Sequence, residues 1–184
     1  MIDRQAIGVL LKEASALTQH REFVIIGSLS VLGSCAVPPQ SMVLSIDVDL
    51  YPRFDPGRAS EIGAALGPSS AFHSQHGFYA DAVGPALAAL PEDWESRLCR
   101  IEFADGIVGL FLDPDDAAVS KLARSEPHDL RWVREGLKAG LLDAAIIERR
   151  MGDAPFVDQA EHERARASLR SAVARIARIA GRRR

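Results

Sequence analysis

Apolar residues recur along the chain with two different periods, and these periods separate the predicted helices from the predicted strands. Near the N-terminus they return every three or four residues, from Ile7 to Leu17, and Asp3 precedes them as a helix cap. This spacing predicts an amphipathic helix. Short apolar runs and alternating segments predict strands at residues 23–26, 43–51, 76–83, 97–103 and 107–112, with helices at 29–36 and 59–66.

The pattern becomes helical from Asp113 onward. Asp113 and Pro114 have the form of a helix cap followed by a proline at the first helical position, and two further acids follow them. We therefore expect an α+β fold, with a mixed or antiparallel sheet and flanking helices in residues 1–112 and a helical C-terminal region in 113–184. Within that region the pattern predicts helices at 114–124, 128–139, 143–151 and 159–180.

The composition is that of a globular protein with one good core, since 47% of the 184 residues are hydrophobic. No apolar run approaches the roughly 20 residues that span a bilayer, and the first residues lack the layout of a signal peptide. We expect a cytoplasmic protein that does not bind membranes. Cys35 and Cys99 form no metal-binding pattern, and His73 and His76 are interpreted as surface or site-rim histidines, not as zinc ligands.

The charge is distributed unevenly. Residues 164–184 contain eight arginines and no acid, so the first 163 residues carry a net charge of −11 in a chain whose total is −3. Leu169, Val173, Ile176 and Ile179 form one apolar stripe within this basic segment. The segment fits a helix docked on the acidic body or on a protein partner, an RNA-binding arm or, least well, a membrane-surface helix.

Two carboxylates share one face of the predicted strand at 43–51. Along it Leu44, Ile46, Val48 and Leu50 point one way, while Asp47 and Asp49 point the other. Two like charges repel at this spacing, and a bound divalent cation is a physical reason to keep both. Mg²⁺ or Mn²⁺ prefers such oxygen ligands together with phosphate.

A Gly27-Ser28 turn lies upstream, between a predicted strand and a predicted helix. Glycine allows the backbone to approach a ligand closely, and amides at a helix start favour phosphate. The two motifs together therefore describe both partners of a metal and triphosphate site.

These motifs carry a resemblance to a known family. Val24-Ile25-Ile26-Gly27-Ser28 and Ser45-Ile46-Asp47-Val48-Asp49-Leu50 resemble the signature of the nucleotidyltransferase superfamily, and the likeness is greatest to its small bacterial members, which include abortive-infection and toxin-antitoxin nucleotidyltransferases. The resemblance implies a polymerase beta-like fold in which Gly27 and Ser28 bind a nucleoside triphosphate. It also implies that Asp47 and Asp49 bind the metal.

In the family a third acid on a neighbouring strand completes the site and activates the acceptor hydroxyl. By that likeness Asp81 is the first candidate and Glu102 the second, and a site without either remains open. The resemblance continues into 112–130, where it implies that Lys121 contacts phosphate and that Asp129 orients it. The alternatives are an exposed helix lysine and an acid that complements a helix dipole.

The function that the resemblance implies is the metal-dependent transfer of a nucleotidyl group to a hydroxyl of RNA, a protein or a small molecule. An RNA acceptor, held by the basic C-terminal helix, fits the toxin-like relatives. The alternative is a catalytically inactive nucleotidyltransferase-like module that acts by binding a protein or RNA partner. Retention of both Asp47 and Asp49 favours the enzyme.

Overall fold

The computed structural model of the protein describes residues 2–87 and 89–181. These residues form two compact units, the first containing residues up to 87 together with 95–113, and the second containing 89–94 together with residues from 114 onward. The first unit holds the strands and the second is helical. Arg182, Arg183 and Arg184, the last residues of the predicted basic segment, lie outside the described residues.

The first unit is built on a five-stranded mixed sheet. Its strands are β1 (Glu22–Ile25), β2 (Asp47–Pro52), β3 (Tyr79–Ala82), β4 (Cys99–Glu102) and β5 (Val108–Phe111). They lie in the order β3-β2-β1-β5-β4. The pairs β1–β5 and β2–β3 are parallel, and the pairs β1–β2 and β4–β5 are antiparallel. The prediction of an α+β fold with a mixed sheet is confirmed.

Three helices accompany the sheet in this unit: α1 (Arg4–Thr18), α2 (Ala59–Leu66) and α3 (Ala71–His76). The Asp3 side chain accepts a hydrogen bond of 2.9 Å from the Ala6 amide, so it caps α1 as predicted. The apolar face of α1 is buried at Ile7, Leu10, Leu11 and Ala14. Leu17, at the end of the predicted stripe, is exposed.

Three predicted elements of this unit are wrong in part. Residues 29–36 do not form an α-helix, because a 3₁₀ helix of Ser28–Gly33 follows β1 instead. The strand predicted at 43–51 begins only at Asp47, so Leu44 and Ile46 are 60% and 49% exposed and do not continue the buried face of Val48 and Leu50. The strand predicted from residue 76 begins at Tyr79, since α3 occupies the preceding residues.

The second unit contains four helices: α4 (Pro114–Arg124), α5 (Pro127–Ala139), α6 (Ala144–Met151) and α7 (Gln159–Gly181). All four were predicted, with boundaries within one residue. Ala165, Leu169 and Ala172 form the buried face of α7. Asp116 on α4 is buried and pairs with Arg150 on α6, with Oδ1 and Nη1 3.1 Å apart, so charged groups also join the helices of this unit.

Candidate active site

Three carboxylates converge on one face of the sheet. β2 and β3 run parallel, with Asp49 opposite Asp81 and Asp47 opposite Tyr79. Because side chains alternate along a strand, Asp47 and Asp49 share one face of β2. One carboxylate oxygen from each of Asp47, Asp49 and Asp81 lies within 4.8 Å of the other two. The structure therefore brings together the acid pair and the first candidate for the third acid.

The acid cluster, which we define as Asp47, Asp49 and Asp81, concentrates negative charge. Partial burial, followed by the charge of Asp47, raises the pKa of the Asp81 carboxyl. The Ser45 hydroxyl donates a hydrogen bond to Asp47 Oδ1, which fixes that carboxylate. Three carboxylate oxygens at this spacing form a donor set that suits a hard divalent cation such as Mg²⁺ or Mn²⁺.

Gly27 lies directly against the acid cluster. Its φ is +70° and its ψ −154°, a conformation that is essentially restricted to glycine. A Cβ at this position would lie 1.8 Å from Asp49 Oδ2, so no side chain fits. The Ile26 amide donates to the Asp49 carbonyl at 3.0 Å and the Ser30 hydroxyl to the Gly27 carbonyl at 2.9 Å. The turn after β1 is thereby held beside the acid strand.

The comparison with known proteins agrees with this arrangement. A family described as "Nucleotidyltransferase of unknown function (DUF6036)" matches residues 5–178. The chain belongs to this family. The suspected membership of the nucleotidyltransferase superfamily is confirmed, and the α+β fold is nucleotidyltransferase-like. No curated protein and no solved structure gives a significant match to the chain.

Glu102, the second candidate for the third acid in this DUF6036 chain, lies elsewhere in the sheet. It is at the end of β4, the edge strand opposite to β3. Its carboxylate is exposed and pairs with Arg100 at 3.0 Å. Among the described residues the group of acids that includes Asp47 and Asp49 contains Asp81 and not Glu102.

Tyr79, to which the sequence assigns no role, lies beside the acid cluster. Tyr79 shares the face of Asp81 on β3, a relation that strand alternation predicts. Burial, and then the charges of the three aspartates, raise the pKa of its phenol. The His73 ring lies 4.8 Å from the Tyr79 ring, between their centroids. The His76 ring packs against Phe72 and Phe78 instead. Neither histidine joins a metal-binding group in the part of the chain that is described.

Lys121 and Asp129 form a buried ion pair in the second unit. Lys121 Nζ is 2.9 Å from Asp129 Oδ1, and Arg124 donates to both oxygens of the same carboxylate at 2.8 and 3.0 Å. The Lys121 ammonium also lies 5.1 Å from the centre of the Trp132 ring. Lys121 is therefore not an exposed helix lysine, since both it and Asp129 are buried.

The protonation of Asp129 reflects two opposing effects. Burial alone would raise the pKa of its carboxyl, but the hydrogen bonds from Arg124 and Lys121 and the charge of Lys121 outweigh burial and leave the pKa below its ordinary value. A carboxyl with a lowered pKa stabilises the folded protein above the unfolded-state pKa, and that stabilisation is lost as pH falls through the folded-state pKa.

Asp129→Asn is expected to lower the free energy of unfolding at pH 7 by about 3 kcal/mol, because it removes the carboxylate charge that pairs with the buried Lys121 ammonium. The difference from the wild type should shrink as pH falls below the unfolded-state value of about 3.9 towards the lowered folded-state pKa, because the unfolded chain then binds a proton that the folded Asp129 carboxylate does not. Urea unfolding between pH 3 and 7 measures it. Glu135→Gln, which removes only the partly exposed pair with Lys138, is the control and should cost less than about 1 kcal/mol. A pH-independent difference would contradict this account of the ion pair.

No helix among the described residues is both long enough and apolar enough to cross a membrane.

Proposed function

We propose that this protein transfers a nucleotidyl group from a nucleoside triphosphate to a hydroxyl acceptor, with Mg²⁺ or Mn²⁺ held by Asp47, Asp49 and Asp81. The observation that carries the proposal is the convergence of these three carboxylates beside Gly27 in a chain of a nucleotidyltransferase family. A bound divalent cation would neutralise charge on the triphosphate and on the transition state. The donor set supports this cation, because each of the three residues offers a carboxylate oxygen.

The triphosphate is assigned to the turn of Gly27 and Ser28. Gly27 has no side chain to block an approaching phosphate, and the 3₁₀ helix that starts at Ser28 is anchored to β2 through the Ile26 amide. Ser28 offers a hydroxyl and an amide for hydrogen bonds to phosphate oxygens. The resemblance also assigns Lys121 to phosphate and Asp129 to orienting it. The 2.9 Å pair supports the role of Asp129, whereas the burial of the Lys121 side chain gives no support to direct contact with phosphate.

The reaction would be an in-line displacement at the α-phosphorus. The acceptor oxygen forms a bond to that phosphorus while the bond to the bridging oxygen of pyrophosphate breaks, so pyrophosphate leaves with the bonding electrons. The acceptor proton passes to the Asp81 carboxylate, which is the exposed member of the acid cluster and lies on the edge strand. The products are a nucleotidyl ester and pyrophosphate.

The choice of Asp81 over Glu102 leads to a paired prediction. Asp81→Asn should weaken Mn²⁺ binding at least about tenfold, because the site loses one of three charged ligands, a loss on the order of 1.4 kcal/mol or more. Glu102→Gln should leave binding within about twofold, since its carboxylate lies on the opposite edge strand. Electron paramagnetic resonance titration of free Mn²⁺ measures both constants. Equal effects of the two substitutions would remove Asp81 from the site.

The function itself is tested by isothermal titration with ATP, GTP, CTP and UTP, each with and without Mg²⁺. We expect at least one triphosphate to bind only when the metal is present. A folded wild-type protein that binds none of the four would contradict the proposed enzyme. That result would favour the inactive module that works through a binding partner.

A further inference from the structure

A groove of about 300 Å³ lies between α4, α5 and α7 of the helical unit. Leu122 and Val133, which are fully buried, form its floor, and the partly exposed Leu130 forms its apolar rim. Two arginines, Arg134 from α5 and Arg175 from α7, also line it. Ser171 is one of several small residues on the α7 side, so the groove is open to a side chain from outside. We call this surface, defined by those six residues, the arginine groove.

The apolar stripe of α7 continues beyond the part of the helix that packs on its own unit. Leu169 is buried, whereas Ile176 is partly exposed and Val173 and Ile179 are each 41% exposed. At about 3.6 residues per turn, Ile179 follows Ser171 and Arg175 on the side of α7 that lines the groove, whereas Val173 lies on the opposite side of the helix. The described part of the chain therefore leaves one large apolar side chain, that of Ile179, partly uncovered beside the groove. An apolar side chain of this kind gains free energy when another apolar surface packs on it.

The charge around this surface has one sign. No acid lines the arginine groove. Within the described residues no ion pair or side-chain hydrogen bond engages Arg134 or Arg175, and Arg170 and Arg178 are exposed on the same helix. From residue 164 onward the chain contains eight arginines and no acid. A ligand of this surface must therefore combine apolar groups with negative charge.

These observations favour one kind of occupant. We propose that the arginine groove, together with Ile179 beside it, binds an amphipathic helix of a partner protein, with apolar side chains towards Leu130 and Ile179 and acidic side chains towards Arg134 and Arg175. Helices that bind in grooves use apolar anchors at three- and four-residue spacing, which matches this combination of surfaces. A second copy of the chain fits less well, because two-fold pairing of the groove would bring the arginines face to face.

RNA is the alternative ligand for this basic surface, but it would use only the charged part of it. Phosphates would engage the guanidinium groups, but backbone contacts would leave the apolar side chains of Leu130 and Ile179 uncovered. A protein helix accounts for the apolar and the charged residues together. The distinction can be measured, since binding driven by phosphate contacts weakens steeply with salt whereas apolar burial does not.

The test is a phage-display selection of helical 20-residue peptides against the full-length protein. We expect the selected peptides to carry acids on one face and apolar residues at three- and four-residue spacing. Their affinity, measured by fluorescence anisotropy, should fall at least about tenfold for Arg175→Glu, which reverses the charge, and for Ser171→Trp, which fills the groove. The matched control is Arg149→Glu, an exposed arginine on α6, which should leave affinity within about twofold.

Three results would overturn the proposal. Selected peptides without acids, or peptides whose affinity is the same for Arg175→Glu and Arg149→Glu, would exclude charge complementarity at the arginine groove. Binding of a labelled 20-nucleotide single-stranded RNA that Arg175→Glu removes, with no peptide selected, would assign the surface to nucleic acid. A dimer in light scattering that dissociates in Ser171→Trp would assign the groove to a second copy. Circular dichroism confirms that each variant is folded, and Arg175→Glu decides the question if Ser171→Trp does not fold.

Discussion

Replacing Asp47 and Asp49 together by asparagine is expected to abolish Mg²⁺-dependent binding of a nucleoside triphosphate. The two side chains supply two of the three converging carboxylates, and asparagine keeps their shape while removing the charge that a hard cation requires. Isothermal titration of the triphosphate at a fixed Mg²⁺ concentration of about 5 mM measures the loss. Binding that persists in the double variant would place the metal elsewhere.

The stability of the same variant separates loss of the site from loss of the fold. Without metal, the carboxylates of the acid cluster repel one another, because one oxygen of each lies within 4.8 Å of an oxygen of the other two. At a solvated site each such pair costs about 1 kcal/mol, so the double variant should be at least as stable as the wild type in EDTA. Added Mg²⁺ should raise the melting temperature of the wild type alone, because only a protein that binds the ligand is stabilised by it. A double variant that is less stable than the wild type in EDTA would indicate damage to the fold.

Much of the fold could be predicted because its signals are local. The three- and four-residue spacing of α1 and the cap at Asp3 specify that helix without reference to the rest of the chain. Four helices follow Asp113, and each has its own stripe, cap or proline. The strands could also be found, since each contains a short apolar or alternating run.

The errors occur where a local pattern depends on partners in space. Leu44 and Ile46 continue the alternation of β2, but a strand ends where its neighbour stops pairing, and the described ladder begins at Asp47 opposite Tyr79. The segment after Gly27 is apolar enough for an α-helix, yet it forms a short 3₁₀ helix. α3 is six residues long and too short to produce a periodic pattern.

The acid pair and the glycine turn of the candidate site could be predicted from the sequence, but the order of the strands could not. The alternation of side chains along a strand alone places Asp47 and Asp49 on one face of β2. The end of an apolar run predicts the turn at Gly27 and Ser28. The third acid depends on which strand lies beside β2, and nothing local distinguishes β3, which carries Asp81, from β4, which carries Glu102. The ion pair of Lys121 with Asp129 likewise depends on how α4 and α5 pack. The resemblance named both residues, but their burial as an ion pair could not be predicted from the sequence.

Gly27→Ala is expected to destabilise the first unit and to remove triphosphate binding together with it. A methyl group at this position would lie 1.8 Å from Asp49 Oδ2, and the backbone conformation there is one that alanine essentially does not adopt. Strain and displacement of the Asp49 carboxylate should together cost on the order of 3 kcal/mol or more in the free energy of unfolding. Urea unfolding measures the cost, and isothermal titration measures binding of the triphosphate with Mg²⁺.

Gly140→Ala provides the matched control for this prediction. Gly140 also has a positive φ, +69°, but its ψ of 21° lies in the left-handed helical region, and a Cβ there would meet nothing within 4 Å. The control should therefore lose only about 1 kcal/mol, the ordinary cost of a left-handed alanine, and should keep triphosphate binding. If both substitutions cost the same, neither the unusual backbone conformation at Gly27 nor its contact with Asp49 would add to the ordinary cost of a left-handed alanine. The close approach of the Gly27 turn to Asp49 would then contribute nothing to the site, and alanine at position 27 should leave metal binding intact.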